Sequence, residues 1–100
     1  MIHVVAIITT EAGKRAEVLE AFAKIVPLVH AESGCIEYQP VTDADGAGSN
    51  QTPLGPDTFI VAEKWASMDE LKAHSASDHM AEYARTVKGL IAGRKVHILN

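Results

Sequence analysis

The sequence predicts an α+β, ferredoxin-like fold of order βαββαβ, an antiparallel four-stranded sheet with two helices on one face. Three observations point there. The chain opens on a β-branched run, "IHVVAIITT", an apolar stripe of helical period follows at once, and the rest reads strand, strand, helix, strand. At 100 residues it is one domain, 1–100, whose core is modest because a chain this size hides only about 65% of its unfolded surface.

Residues 2–10 form the first strand, ended by a Gly-containing turn. From Lys14 to Glu32, Val18, Phe22, Ile25 and Val29 recur at helical spacing, with Glu20 and Lys24 placed to pair on the wet side. Pro27 inside that stripe predicts a bend or a break. Gly34 closes the segment, and "CIEYQPVT" is a second strand whose Pro40 suits an edge position or a bulge near its end. Residues 43–56, "DADGAGSNQTPLGP", lack periodicity and are dense in turn formers, which makes them a surface loop and a candidate lid. A third strand runs from Asp57 to Trp65. "SMDE" after it is a capping box in which Ser67 accepts from the Glu70 amide while Glu70 reaches back. Ser77 and Asp78 restart the helix with new capping, Met80, Tyr83, Val87 and Leu90 continue its stripe, and the helix is kinked near Ser75. Gly93 ends it, and "KVHIL" is the fourth strand.

Composition excludes several classes. Hydrophobic residues are 47% and charged residues 22%, and no run approaches the ~18 apolar residues of a membrane span. The apolar N-terminus lacks a basic leader and a small-residue cleavage site, so it reads as a strand in a cytoplasmic protein rather than a signal peptide. A net charge of −4 argues against nucleic acid. The single cysteine, Cys35, allows no internal disulfide and no Cys-based zinc site, and reads as a packed thiol. There is no Gly-rich phosphate loop, G-x-S-x-G elbow or H-E-x-x-H.

Both faces of the sheet are apolar. Ile2, Val4, Ala6 and Ile8 lie on one side of the first strand and Val5 and Ile7 on the other, while the third strand separates Phe59, Val61, Glu63 and Trp65 from Ile60 and Ala62. Two helices cover one face. The other calls for a second sheet, most simply that of an identical subunit in a homodimer, around an apolar cavity.

Glu63 and Trp65 share a face, so a carboxylate and an aromatic wall can meet there; the plainer reading pairs Glu63 with a basic group and buries Trp65 in the core. His74 leans toward the apolar side of its helix, and His79 precedes Tyr83 by four, on one flank. Histidine suits removal of a phenolic proton near neutral pH. The spacing of five between His74 and His79 separates them on a continuous helix and no third ligand is near in sequence, which argues against a metal site. His3 and His97, on the outer strands, read as surface residues.

The segments "FAKIVPLVHAESGCIEY", "EKWASMDELKAH" and "SDHMAEYARTVKG" resemble the antibiotic biosynthesis monooxygenase family, and within it the small quinol monooxygenases, over nearly the whole chain. The resemblance implies a dimeric α+β barrel that oxygenates quinols or polycyclic phenols with O₂ and no flavin, haem or metal. A deprotonated substrate itself reduces O₂, so the protein supplies an apolar cage, an orienting group and a base. On this reading His74 or His79 is the base or oxygen anchor; Trp65, Tyr83, Phe59 and Met80 are walls, joined by Tyr38 and Glu63. Haem-degrading relatives use a strand-one Asn, a helix-two Trp and a helix-two His, where this chain has Ala6, His74 and Ala84. Two other readings stand beside the oxygenase: a non-catalytic module that binds a quinone, haem or another apolar ligand, and an isomerase or lactone-processing enzyme working without O₂.

Overall fold

The computed structural model describes residues 1–100. Strands β1 (Ile2–Thr10), β2 (Cys35–Val41), β3 (Thr58–Trp65) and β4 (Ile91–Leu99) form one sheet in the order β2-β3-β1-β4, every pair antiparallel. Helices α1 (Arg15–His30), α2 (Met68–Ser75) and α3 (Asp78–Thr86) complete the ferredoxin-like α+β architecture. β2 is an edge strand, where Pro40 withholds no donor from an interior ladder.

Strand parity divides the residues as expected. Val4, Ala6 and Ile8 of β1 and Phe59, Val61, Glu63 and Trp65 of β3 are buried on the helix side, where the α1 stripe Val18, Phe22, Ile25 and Val29 meets them. Each large apolar side chain so buried contributes about 1.5–3 kcal/mol. The opposite face carries Val5, Ile7, Val41, Ile60, Ala62 and Leu99, of which Val41 and Leu99 are exposed.

Pro27 does not break α1. It lies in the last turns, where it removes a single rung of the ladder, and the Ala31 amide still donates to the Pro27 carbonyl at 3.2 Å. The ion pair on this helix is Lys14–Glu17 rather than one between Glu20 and Lys24. After α1 the chain reverses at Gly34, φ +80°, and a Cβ there would strike the Glu70 carboxylate. That carboxylate accepts from the Ser33 and Ser67 hydroxyls, both at 3.0 Å, while the Glu70 amide donates to Ser67 Oγ at 3.3 Å. The α2 cap and the α1–β2 turn are therefore one hydrogen-bonded unit. It holds Glu32 close to α2.

The expected kinked helix is two helices, α2 and α3, parted at Ala76 and Ser77. Serines cause the break: Ser75 Oγ donates to the Leu71 carbonyl at 3.2 Å and Ser77 Oγ to the His74 carbonyl at 2.7 Å. Ser77 thus serves the end of α2 and makes no side-chain cap for α3. Gly93 does not end the helix. Gly89, φ +87°, turns the chain after α3, and Gly93 sits within β4 opposite Thr9, beside the irregularity between Thr9 and Thr10.

The loop at 43–56 is tied to its own end of the sheet. Asp43 accepts from the Leu54 and Gly55 amides at 2.8 and 3.1 Å and from Gln51 Nε2 at 3.0 Å, and Arg15 Nη1 donates to the carbonyls of Gly55 and Thr58 at 2.9 and 3.1 Å. The two backbone amides hold the Asp43 carboxyl below its ordinary pKa. No residue of this loop lines the cavity described below, so the lid expectation does not match its place.

Candidate functional site

A cavity of about 620 Å³ lies between the helix-side face of the sheet and α2 and α3. It is internal to one chain, whereas the sequence reading set an apolar cavity against the opposite face. Its floor is Val4, Ala6 and Ile8 of β1 with Val61 of β3, and its mouth is the β4 edge, where Val96 and Ile98 are 38% and 51% exposed. Most of its lining is apolar, and Tyr38, Glu63, His74, Tyr83 and Arg94 supply polar atoms.

Glu32, which follows α1, accepts at one oxygen, Oε2, from both histidines: His74 Nδ1 at 2.9 Å and His79 Nε2 at 2.8 Å. The spacing of five does not keep them apart, because the break between α2 and α3 re-aims His79. A carboxylate only accepts, so Glu32 sets His74 as the Nδ1–H tautomer and leaves its Nε2 lone pair without a partner in the chain. Below the imidazole, Trp65 lies tilted at 4.6 Å between ring centroids, and Tyr38 meets it edge-on at 5.2 Å. The ring is thus fixed on three sides.

Trp65 Nε1 donates to Glu63 Oε1 at 2.9 Å, so Glu63 pairs with an indole and not with a basic group. Burial raises the Glu63 pKa, and the hydrogen bond from the Trp65 indole only partly offsets it. Burial likewise pushes the Tyr83 phenol up to about 12, with Arg94 acting in the opposite sense. It raises Tyr38 further, beside Glu63, so both phenols are hydrogen-bond donors at neutral pH.

Of the residues expected at the site, His74, Tyr38, Glu63, Met80 and Tyr83 line the cavity. Trp65 and Phe59 do not: both are fully buried, Trp65 behind His74 and Glu63 and Phe59 against Phe22 at 6.1 Å. His79 lies outside it, bordering a smaller groove between α1 and α3 with Lys24, Glu82 and Tyr83. His97 is exposed on β4, but His3 sits on an inner strand. Sequence reasoning missed Glu32 and Arg94. Glu32 had one signal, an anion just beyond a helix C-terminus, where the macrodipole disfavours it and only a cationic or donating partner compensates.

The antibiotic biosynthesis monooxygenase family model matches residues 1–86. This chain belongs to that family. The probable quinol monooxygenase YgiN of Escherichia coli K12 is 40% identical over 101 residues, covering 99% of this chain and 96% of its own, and YgiN of Shigella flexneri matches equally. Among solved structures, a putative antibiotic biosynthesis monooxygenase from Nitrosomonas europaea superposes with TM-score 0.84 at 20% identity, covering 100% of this chain and 97% of its own. A conserved protein from Methanosarcina mazei gives TM-score 0.82 at 21% identity, covering 99% and 90%. At such identities the structural likeness speaks for the fold. As for membranes, no helix is long and apolar enough to cross one.

Proposed function

We propose that this family member is a cofactor-independent monooxygenase that oxidises a quinol or polycyclic phenol with O₂ in the cavity between the sheet and α2/α3. The carrying observation is His74, held in the cavity wall through Nδ1 by Glu32 with Nε2 unpartnered. In this reading Nε2 takes the substrate's phenolic proton, Glu32 positions the ring, and Tyr38 and Tyr83 donate hydrogen bonds to oxygens of the substrate. The phenolate supplies the electrons. A quinol and O₂ give a hydroxyquinone and water, one oxygen atom entering the ring and the other leaving as water. The cavity volume falls in the usual range of about 300–1,000 Å³ for small-molecule sites, and the 40% identical relatives carry the name probable quinol monooxygenase. The reading includes a homodimer in which a second copy covers the apolar strip Val5, Ile7, Val41 and Ile60.

Oxygen uptake with chemically reduced quinols, using flavin-free and metal-free protein, tests it. Uptake above autoxidation that is lost in His74→Ala is expected. Uptake no faster than autoxidation across the panel contradicts it, and tight ligand binding without turnover would make the protein a binding module. Light scattering checks the dimer: twice the 10.7 kDa chain mass is expected, and a monomer would contradict it.

A further inference from the structure

Three elements bring Glu32, His74 and His79 together, and no two of these residues are close enough in sequence to meet on one regular face. Their ligand atoms all lie within 4.8 Å of one another. His74 Nδ1 and His79 Nε2 stand 2.9 and 2.8 Å from Glu32 Oε2. Neighbouring ligands about 2.0–2.2 Å from a shared ion, at angles from octahedral to tetrahedral, are about 2.8–3.6 Å apart, so two edges of a coordination polyhedron are already near length. The third closes by rotation of His79, whose side chain is 23% exposed against 5% for His74. Two imidazoles and one carboxylate form a donor set for zinc and similar first-row divalent ions, with open positions left on the metal.

We propose that Glu32, His74 and His79 bind one first-row divalent cation, and that its occupancy turns off His74 as a base. The second clause rests on the proposed function; the first does not. An ion at this site takes the lone pair of His74 Nδ1. The ring proton then resides on Nε2, the atom facing substrate, which becomes a donor and no longer accepts a phenolic proton. His79 changes tautomer in the same way, its proton passing to Nδ1. No electrons move, and the neutral rings lose no protons. The Trp65 and Tyr38 contacts that fix the His74 ring keep it in place through the exchange.

The test uses the full-length, tag-free chain, stripped of metal and titrated with Zn²⁺ by calorimetry and with Co²⁺ by visible absorbance. One ion per chain is expected. Affinity should fall in Glu32→Gln and in His79→Ala by more than the about 10–100-fold that loss of an outer-shell partner costs, and should not change in His97→Ala. Because a variant could fold poorly, ¹⁵N-histidine spectra of the unaltered protein are recorded as well, where Zn²⁺ should move His74 and His79 before His3, His30 and His97. Quinol-dependent oxygen uptake should decline in proportion to Zn²⁺ occupancy. Absence of stoichiometric binding, or binding that survives both substitutions, overturns the site. Full activity, or a rise in activity, at full occupancy overturns the switch. Zinc bound at these residues in a protein that never consumes quinol leaves the site standing and removes the monooxygenase reading instead.

Discussion

Over β2 and β3, the helix-side face of the sheet meets large aromatic groups beneath α1: Phe22 stacks on Tyr38 at 5.2 Å, and Phe59 and Trp65 are fully buried. Over β4 the same face carries Arg94, Val96 and Ile98, with the cavity above them and solvent at their edge. The two halves share a backbone plan and a strand parity, and they differ in what the helices bring. α1 is one uninterrupted helix with a wide apolar stripe. The layer over the other half is two short helices, parted by serines that bond back to α2 carbonyls. A filled core and an open chamber thus arise on one sheet from the continuity of the helix above each. His74 stands at the border, tilted against Trp65 of the filled half and lining the open one.

The comparison predicts a steep contrast in stability. Trp65→Ala removes a fully buried indole and leaves the buried Glu63 carboxyl unpaired, so a loss of about 3–5 kcal/mol is expected by denaturant unfolding. His74→Ala should instead act on turnover, lowering kcat about 10²–10⁴-fold, the usual worth of a general base. In the open half, Ile98→Ala should cost no more than about 1 kcal/mol, since the side chain is half exposed at the cavity edge. A cost like that of Trp65→Ala would break the comparison, because another chain would then have to cover β4.

Smaller effects sharpen it. The Glu63 pKa is raised in the fold, so the native state holds its proton more tightly than the unfolded chain, and stability falls as pH rises from its ordinary 4.5 to the raised value. Glu63→Gln keeps an acceptor for the Trp65 indole and removes that penalty. It should melt higher than the unaltered protein at pH 7, with the gap closing below pH 4.5. Least of all, the Tyr83 phenol should not ionise until about pH 12, whereas in the unfolded chain it titrates near 10, so ultraviolet titration of the folded protein should show no tyrosine step near pH 10, with Tyr83 ionising before the more deeply perturbed Tyr38 and stability declining between 10 and 12.

Much of the fold was legible because strand parity and the α1 stripe are local patterns that packing did not override. Val18, Phe22, Ile25 and Val29 are buried as their spacing requires, and Ser67 caps α2 through the Glu70 amide. Family resemblance added an expectation for the site's chemistry but not the partners of its residues. Glu32 and His74 are 42 positions apart, and their meeting depends on Gly34 packing against Glu70, a tertiary contact with no sequence period. The separation expected of His74 and His79 assumed a continuous helix, and the hydroxyls of Ser75 and Ser77 undo it. In the sequence Gly93 reads as a helix end because Gly is common there; Gly89 has the positive φ that such an end needs, and Gly93 sits beside a strand irregularity.

For His74 to act as the base, one atom, its Nε2, must be a free acceptor in the cavity wall. At 10.7 kDa the protein suits ¹⁵N-histidine NMR, which reads imidazole tautomers directly. In metal-free protein at neutral pH, His74 should be the Nδ1–H tautomer, its bare Nε2 should shift when a non-oxidisable phenol binds, and Glu32→Gln should weaken the tautomer preference. A His74 that carries its proton on Nε2, or an Nε2 signal indifferent to the phenol, would contradict the assignment of this ring as the base.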